Sequence, residues 1–397
     1  MAETRHSTSG FTSDWTQSLI DPRAFRDEQR RLEHVWTFLG FADELTRDGD
    51  WFRASLATRS VFVQRFGDEL RGFENVCAHR FHPLRTAARG NGPLICGFHH
   101  WQYNREGRAV GIPICNMVFG KPPHELGARL RPLELATCGP MVFGRFPAPD
   151  EMRNGATGSL EDFLGETFPI LEAMVPKNER RLYTERSIQA NWRLNLHITL
   201  DEYHGPAVHP TTFGRHGYGS SMSRHRYFRL GAHSAFINSD DENCLASLLA
   251  GCRSGSYRSG HYFVFQILPD LIVAHAEADS SFWFCNVLQY SPATHDRTAF
   301  RAWLFTAPFE SGRRRFVQAT RPITDPFRRR IYRHYFNRVV NEDASVCERI
   351  QTVAHQIDKV PMLGAREERV GWFEESIQEL TSATTAAGQG TETNGPR

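Results

Sequence analysis

The chain has 397 residues, 40% hydrophobic and 23% charged, enough to bury the cores of two domains and too apolar for a disordered or fibrous protein. Forty-seven basic residues against forty-five acidic ones leave a formal charge of +2, which argues against binding driven by phosphate neutralisation. No apolar run approaches the ~20 residues that span a bilayer, the N-terminus shows no secretory apolar core, and eight cysteines are too sparse for a disulfide scaffold, so a cytoplasmic protein with thiol or metal-ligating cysteines is expected.

Residues 1–14 read as a loose leader. The stretch 22–39 (PRAFRDEQRRLEHVWTFL) carries apolar residues at helical spacing with charges between them, which predicts a helix. Short strand-like runs follow, SVFVQRF, PLICGFHHWQY and MVFGRF, separated by Gly- and Pro-rich turns, the texture of a small all-β domain. Residues 151–180 read as a connector with one or two helical turns. Longer strands come next, YFVFQIL, LIVAHAEA, WFCNVLQYS and AFRAWLFTA, interrupted near 191–210 by a segment rich in His and acidic residues. Residues 324–357 predict a long helix or two, and the tail lacks large apolar residues, as a disordered segment does. The expected division is 1–35 leader and helix, 36–150 β domain, 151–378 second domain and 379–397 disordered tail.

The β domain contains C-x-H at 77–79 and C-x-x-H at 96–99. Each half offers one thiolate and one imidazole, so Cys77, His79, Cys96 and His99 suit a single metal centre. Two identities fit: one tetrahedral zinc, or a [2Fe–2S] cluster with both Cys on one iron and both His on the other. Zinc fingers group like with like, whereas here each pair mixes the two types, which suits a cluster gripped between two loops. His82 and His100 stand nearby, His100 read as solvent-facing or behind the ligands.

The second constellation lies in NWRLNLHITLDEYHGPAVHP (191–210). Asp201 and His204, three apart, would share a helix face, and Gly205-Pro206 is expected to break the helix so that His204 and His209 converge. Two His with one distant carboxylate form the facial triad of non-haem Fe(II) oxygenases. D-x-x-H-x-x-x-x-H alone is a weak motif; about a hundred residues after the first constellation it gains weight.

Taken together, CAHR…CGFHHWQYNREG resembles the Rieske loop pair of the Rieske non-haem iron oxygenases, in their α (terminal oxygenase) subunit of aromatic-ring-hydroxylating type. That family commonly has Gly where this chain has His100; Trp101 and Tyr103 match its aromatic cover, and the stretch from Glu28 through Trp36 to Leu45 resembles its entry into the Rieske domain. Asn191-Trp192, Asp201, Tyr203-His204 and His209-Pro210 resemble its catalytic segment, and NEDASVCERIQ (341–351) its late helix, with Asp343 the best match to the third iron ligand and Glu342 the rival. His197 stands where the family often has Asn.

The resemblance implies an α+β fold: a small all-β Rieske domain, then a larger catalytic domain with an antiparallel sheet and helices of helix-grip (START-like) type. It implies a [2Fe–2S] cluster on Cys77, His79, Cys96 and His99, and mononuclear Fe(II) on His204, His209 and Asp343. It also implies a role for Asp201 as the bridge to His99 of a neighbouring subunit in a homotrimer, with or without a β subunit. The implied activity is O2-dependent hydroxylation of an aromatic or related small organic substrate. Without a GxGxxG fingerprint or a second ferredoxin-like cysteine set, electrons would come from a separate ferredoxin or NAD(P)H-dependent reductase. Substrate contacts are expected from His197, Phe263 and Phe265, among strands that also carry Tyr262, Leu271, Phe282, Trp283 and Phe284. The competing readings are an N- or O-demethylating or quaternary-amine-oxidising monooxygenase, an electron carrier, and a zinc-stabilised binding protein without redox activity.

Overall fold

The structure is a computed structural model that describes residues 11–12, 15–148, 158–177, 181–212, 224–257, 262–279, 282–308 and 314–382. The chain divides into two units, residues 30–160 and residues 1–29 with 161–397. Most of the expected leader, and the tail from 383, lie outside the described residues. No helix among the described residues is long and apolar enough to cross a membrane.

Helix α1 (Gln17–Ile20) precedes α2 (Pro22–Leu32), which buries Phe25, Gln29 and Leu32 along one face at i, i+4, i+7 spacing. The helix expected over 22–39 stops at Leu32, and β1 (Thr37–Phe41) takes over, buried along its whole length. A strand buried on both faces carries no polar alternation, so its apolar run reads equally well as helix. The strands β2 (Asp50–Leu56), β3 (Arg59–Phe66), β4 (Glu69–Glu74), β5 (Arg89–Asn91), β6 (Gln102–Tyr103) and β7 (Ala109–Gly111) lead to helix α3 (Cys115–Phe119), then β8 (Pro132–Cys138) and β9 (Met141–Arg145). Seven form an antiparallel sheet ordered β1-β9-β8-β4-β3-β2-β5, and β6-β7 form a small second one. PLICGFHHWQY, expected as a strand, is mostly loop, with only Gln102–Tyr103 in β6. Phe62, Phe73, Leu94, Trp101 and Leu130 build the core in which Cys77 and Cys96 are buried.

In the other unit, α4 (Leu160–Leu164), α5 (Thr167–Met174), β10 (Arg181–Ile188), α6 (Trp192–Leu200) and α7 (Gly205–Val208) come first. Then follow β11 (His225–Leu230), β12 (His233–Asn238), α8 (Cys244–Arg253), β13 (Tyr262–Ile267), β14 (Leu271–Asp279), β15 (Phe282–Thr294) and β16 (Arg297–Pro308). The described residues close with α9 (Arg314–Val353) and α10 (Glu368–Ser382), which runs past the expected boundary at 378. The seven strands form one antiparallel sheet ordered β10-β16-β15-β14-β13-β12-β11. Helices α6, α9 and α10 pack on it.

Candidate functional site

The two Cys/His loops of the β unit are built alike. Cys77 N–H donates to His82 O (2.9 Å) and Phe81 N–H to Cys77 O (3.0 Å); Cys96 N–H donates to Trp101 O (2.9 Å) and His100 N–H to Cys96 O (3.0 Å). Each loop turns four residues after its Cys through a left-handed residue, Phe81 (φ 60°) and His100 (φ 55°), the conformation that glycine takes most readily. The result sets Cys77 opposite Cys96 and brings the His79 and His99 rings to 4.6 Å between centroids. Trp101 stacks on His79 at 4.7 Å with the planes 2° apart, and Phe119 meets both edge-on. The Tyr103 hydroxyl accepts from Ala78 N–H (3.1 Å) and lies 3.0 Å from Cys77 Sγ.

These residues fit a [2Fe–2S] cluster. His79 Nδ1 is buried with no hydrogen-bond partner among the described residues, a lone pair with nothing to bind. Burial, then His99 and Arg80, hold His79 below the ordinary histidine range, in the neutral form that ligates a metal. Among the described residues the only set of three or more His, Cys, Asp or Glu whose ligand atoms all lie within 4.8 Å is a different one, His204, His209 and Asp343. The four Cys and His residues are therefore not drawn to one ion-sized point, as a tetrahedral zinc requires.

In the larger unit the helix breaks earlier than expected. Asn191 caps α6, accepting Arg193 N–H at 2.9 Å, and the backbone becomes extended at Asp201. Asp201 Oδ1 then accepts Tyr203 N–H at 2.5 Å, a turn typical of Asp. Gly205-Pro206 starts α7 instead of breaking α6, since proline in a first helical turn forfeits no hydrogen bond. That turn brings His204 Nε2 to 3.2 Å from His209 Nε2. Asp343, from α9, sets Oδ1 at 2.9 Å from His209 Nε2 and 3.5 Å from His204 Nε2.

The outer nitrogen of His209 is held as well. Glu342 Oε2 lies 2.8 Å from His209 Nδ1 and accepts the Thr212 hydroxyl at 3.2 Å, while Arg338 braces its other oxygen. Asp201 Oδ2 lies 3.6 Å from His204 Nδ1. Burial by itself would lower His204, but Asp201 and Asp343 hold it up to about 10; His209, despite burial, is raised by Asp343 and Glu342. Carboxylates that retain a proton so firmly would also retain a cation. Asp343 Oδ1 is buried with no well-formed hydrogen bond, and the three donor atoms suit one ion at bonds of ~2.0–2.2 Å. This set fits a mononuclear Fe(II) with open positions. Glu342, weighed from sequence as a rival ligand, instead grips a ligand from behind.

A cavity of about 140 Å³ opens on this triad, lined by Thr199, Tyr262, Asn286, Tyr290, Tyr332 and Asp343 among others. Strand alternation decides which sheet residues reach it: Tyr262 and Val264, Ile272 and Ala274, Phe284 and Asn286 do. Phe263 and Phe265, expected as substrate contacts, are buried in the opposite phase, Phe263 stacked on His275 at 4.8 Å. Leu271 is likewise out of phase, and the side chains of Phe282 and Trp283 lie outside the described residues. His197 lines a second cavity of about 520 Å³, which shares Ile198, Asp201 and His204 with the first. Its Nε2 lies 2.7 Å from Glu374 Oε1, whose other oxygen accepts from Arg193 at 2.5 Å, and Arg193 also binds Glu28. The Asn286–Tyr332 pair and this buried network carry no local motif and were not foreseen.

Residues 35–122 match a family model described as "Rieske [2Fe-2S] domain", and residues 176–383 one described as "Ring hydroxylating alpha subunit (catalytic domain)". Among curated relatives, the glycine betaine monooxygenase oxygenase subunit of Chromohalobacter salexigens is 29% identical over 48% of this chain and 41% of its own. The anthranilate 1,2-dioxygenase large subunit of Acinetobacter baylyi is 27% identical over 63% of this chain and 52% of its own. The chain thus spans about half the length of these relatives. Naphthalene 1,2-dioxygenase from Rhodococcus sp. bound to indole superposes with a TM-score of 0.72 at 19% identity, covering 92% of this chain and 94% of that one. A quaternary ammonium Rieske monooxygenase in complex with L-carnitine does so at 0.67 and 16% identity, covering 94% and 99%. At these identities the structures establish the fold, a Rieske β domain with a catalytic domain of antiparallel sheet and helices.

Proposed function

Because the chain belongs to the family of ring-hydroxylating oxygenase α subunits, we propose that it is the terminal oxygenase of a multicomponent Rieske system acting on a small organic substrate. The observation that carries this reading is the convergence of His204, His209 and Asp343 at the edge of a largely apolar cavity. In this reading Cys77, His79, Cys96 and His99 hold the [2Fe–2S] cluster, and His204, His209 and Asp343 hold the iron. When bound, the two groups supply electron relay and O2 activation.

The protein's part is positional. Glu342 fixes the tautomer of His209, so that it presents Nε2 to the metal, and Asp201 stands beside the outer nitrogen of His204. The tyrosine- and aliphatic-lined cavity beside the triad would shelter a bound substrate from much of the bulk water. Asp201, beside His204 on one side, would accept the outer N–H of His99 from a second copy of the chain, in an active assembly that the family resemblance makes a homotrimer. A separate ferredoxin or NAD(P)H-dependent reductase would supply the electrons, in the cytoplasm.

Anaerobic reconstitution with iron and sulfide tests the reading. The protein should turn red-brown, contain acid-labile sulfide and a further iron per chain, and consume O2 with a substrate from a small-ring panel and a surrogate reductase. Asp201→Ala should keep both metal centres and lose turnover. A preparation that takes up only zinc, or no sulfide, overturns the reading, and full turnover of Asp201→Ala removes the bridge.

A further inference from the structure

The cavity on the triad is small and selective in its polar equipment. Its volume, about 140 Å³, is close to that of an engineered ~150 Å³ cavity that holds one benzene ring. The walls are mostly rings and aliphatic groups, among them Phe284, Phe336, Ile272 and Leu288, with Thr199 and four tyrosines also on the lining. Asn286 interrupts them from the centre of β15, in register with Ala274 on β14 and Leu304 on β16. It is 7% exposed. The Tyr332 hydroxyl donates to Asn286 Oδ1 at 2.7 Å, which fixes the amide's orientation. The amide N–H2 group donates to no described residue, in a residue that lines the cavity.

Charge narrows the choice. The lining includes Asp201, Glu202 and Asp343 but no Lys or Arg among the described residues. Glu202 is neutralised by the buried Arg369 at 3.0 Å, and Asp343 would be committed to the metal. Asp201 is left, so a carboxylate on a substrate would lose its water for a lining with no Lys or Arg and one like charge, where the only positive charge would be the iron with its two histidines. A neutral oxygen acceptor meets no such penalty, and it satisfies the Asn286 amide.

We propose that the cavity takes a neutral, single-ring compound carrying one hydrogen-bond-accepting oxygen, a carbonyl, ether or hydroxyl, and that Asn286 is the specificity-determining residue that binds that oxygen and orients the ring. The inference rests on the oxygenase reading above and names its substrate class.

Three shape-matched probes test it: acetophenone (neutral acceptor), cumene (no acceptor) and benzoate (anionic). Affinities are measured by calorimetry on the iron-loaded protein without O2, so no turnover intervenes. In the wild type acetophenone should bind at least about tenfold more tightly than benzoate. Asn286→Leu and the isosteric Asn286→Asp should each lower the acetophenone-to-cumene affinity ratio by about three- to tenfold. A loss of fold would weaken both ligands alike and leave that ratio unmoved. Benzoate binding as tightly as acetophenone, a ratio unchanged in variants whose metal centres load normally, or an iron-loaded wild type that binds none of the three overturns the proposal. Iron and sulfide are assayed on the same samples. Metal centres that load normally beside an unchanged ratio sink this inference alone, whereas failure to load them sinks the oxygenase reading.

Discussion

Glu342 and Asp343, neighbours on α9, take opposite ends of one imidazole: Glu342 Oε2 lies 2.8 Å from His209 Nδ1, and Asp343 Oδ1 lies 2.9 Å from His209 Nε2. One carboxylate faces the point where a metal would sit, and the other holds the ring that faces it.

This division separates two acidic residues that look interchangeable in the sequence. Glu342→Gln should weaken iron binding by roughly 10–100-fold, the usual cost of losing a partner behind a ligating histidine. Asp343→Asn should cost more, since one of three ligand atoms loses its charge. Competition of each variant against a graded set of chelators measures both constants. Equal losses, or a larger one at Glu342, would reverse the assignment.

Tyr103 tests the other centre. Its hydroxyl lies 3.0 Å from Cys77 Sγ, and a donor to a ligating sulfur stabilises the more negative, reduced cluster. Tyr103→Phe should therefore lower the reduction potential, by about 59 mV for each tenfold preference of that hydrogen bond for the reduced state. Spectroelectrochemical titration reads the shift while the visible spectrum reports an intact cluster. An unchanged or higher potential would show that the hydroxyl does not bond the sulfur.

What could be read from the chain depended on sequence distance. Cys77 with His79, and Cys96 with His99, lie within one turn of each other, so their mixed pairing was visible directly. Glu342 stands 133 positions from His209, and only resemblance pointed to its helix; the role of holding Nδ1 needed coordinates. The phase of β13 was hidden for another reason. Tyr-Phe-Val-Phe-Gln-Ile is apolar on both faces but for Gln266, so alternation alone was too weak to choose Tyr262 and Val264 over Phe263 and Phe265. The same ambiguity absorbed β1 into the preceding helix.

The matched loop turns carry a cost that can be removed. A side chain in the left-handed region costs ~1–2 kcal/mol, partly offset by the ~0.5–1 kcal/mol of extra chain entropy that glycine loses on folding. His100 is exposed at φ 55°, so His100→Gly should stabilise the reconstituted protein by up to about 1 kcal/mol and leave the cluster spectrum unchanged. Gly107→Ala should act oppositely: at φ 74° its Cβ would lie 2.6 Å from Phe73 Cε1. Thermal unfolding of both variants decides. A destabilised His100→Gly would mean that the imidazole makes a contact worth more than its strain.

Arg193 holds two buried acids, but not equally. Glu374 is fully buried, yet Arg193 and His197 outweigh that burial and hold its carboxyl below the ordinary 4.5. Glu28 shares Arg193 but has no second cation in the network, and burial leaves its carboxyl above that value. The ionised form of Glu374 is thus favoured by folding, and that of Glu28 is disfavoured. Glu374's contribution to stability is fully present above about pH 4.5 and is lost as the pH falls through its lower folded value. Glu28 has the opposite slope, losing stability as the pH rises through its raised value. At pH 7 Glu374→Gln should therefore destabilise more than Glu28→Gln, approaching the ~3–5 kcal/mol of a broken buried pair. It should also flatten the acid limb of the stability curve. Denaturant unfolding of the two variants across pH 4–8 measures both effects, and a larger loss at Glu28 would show that Arg193 is anchored chiefly through α2.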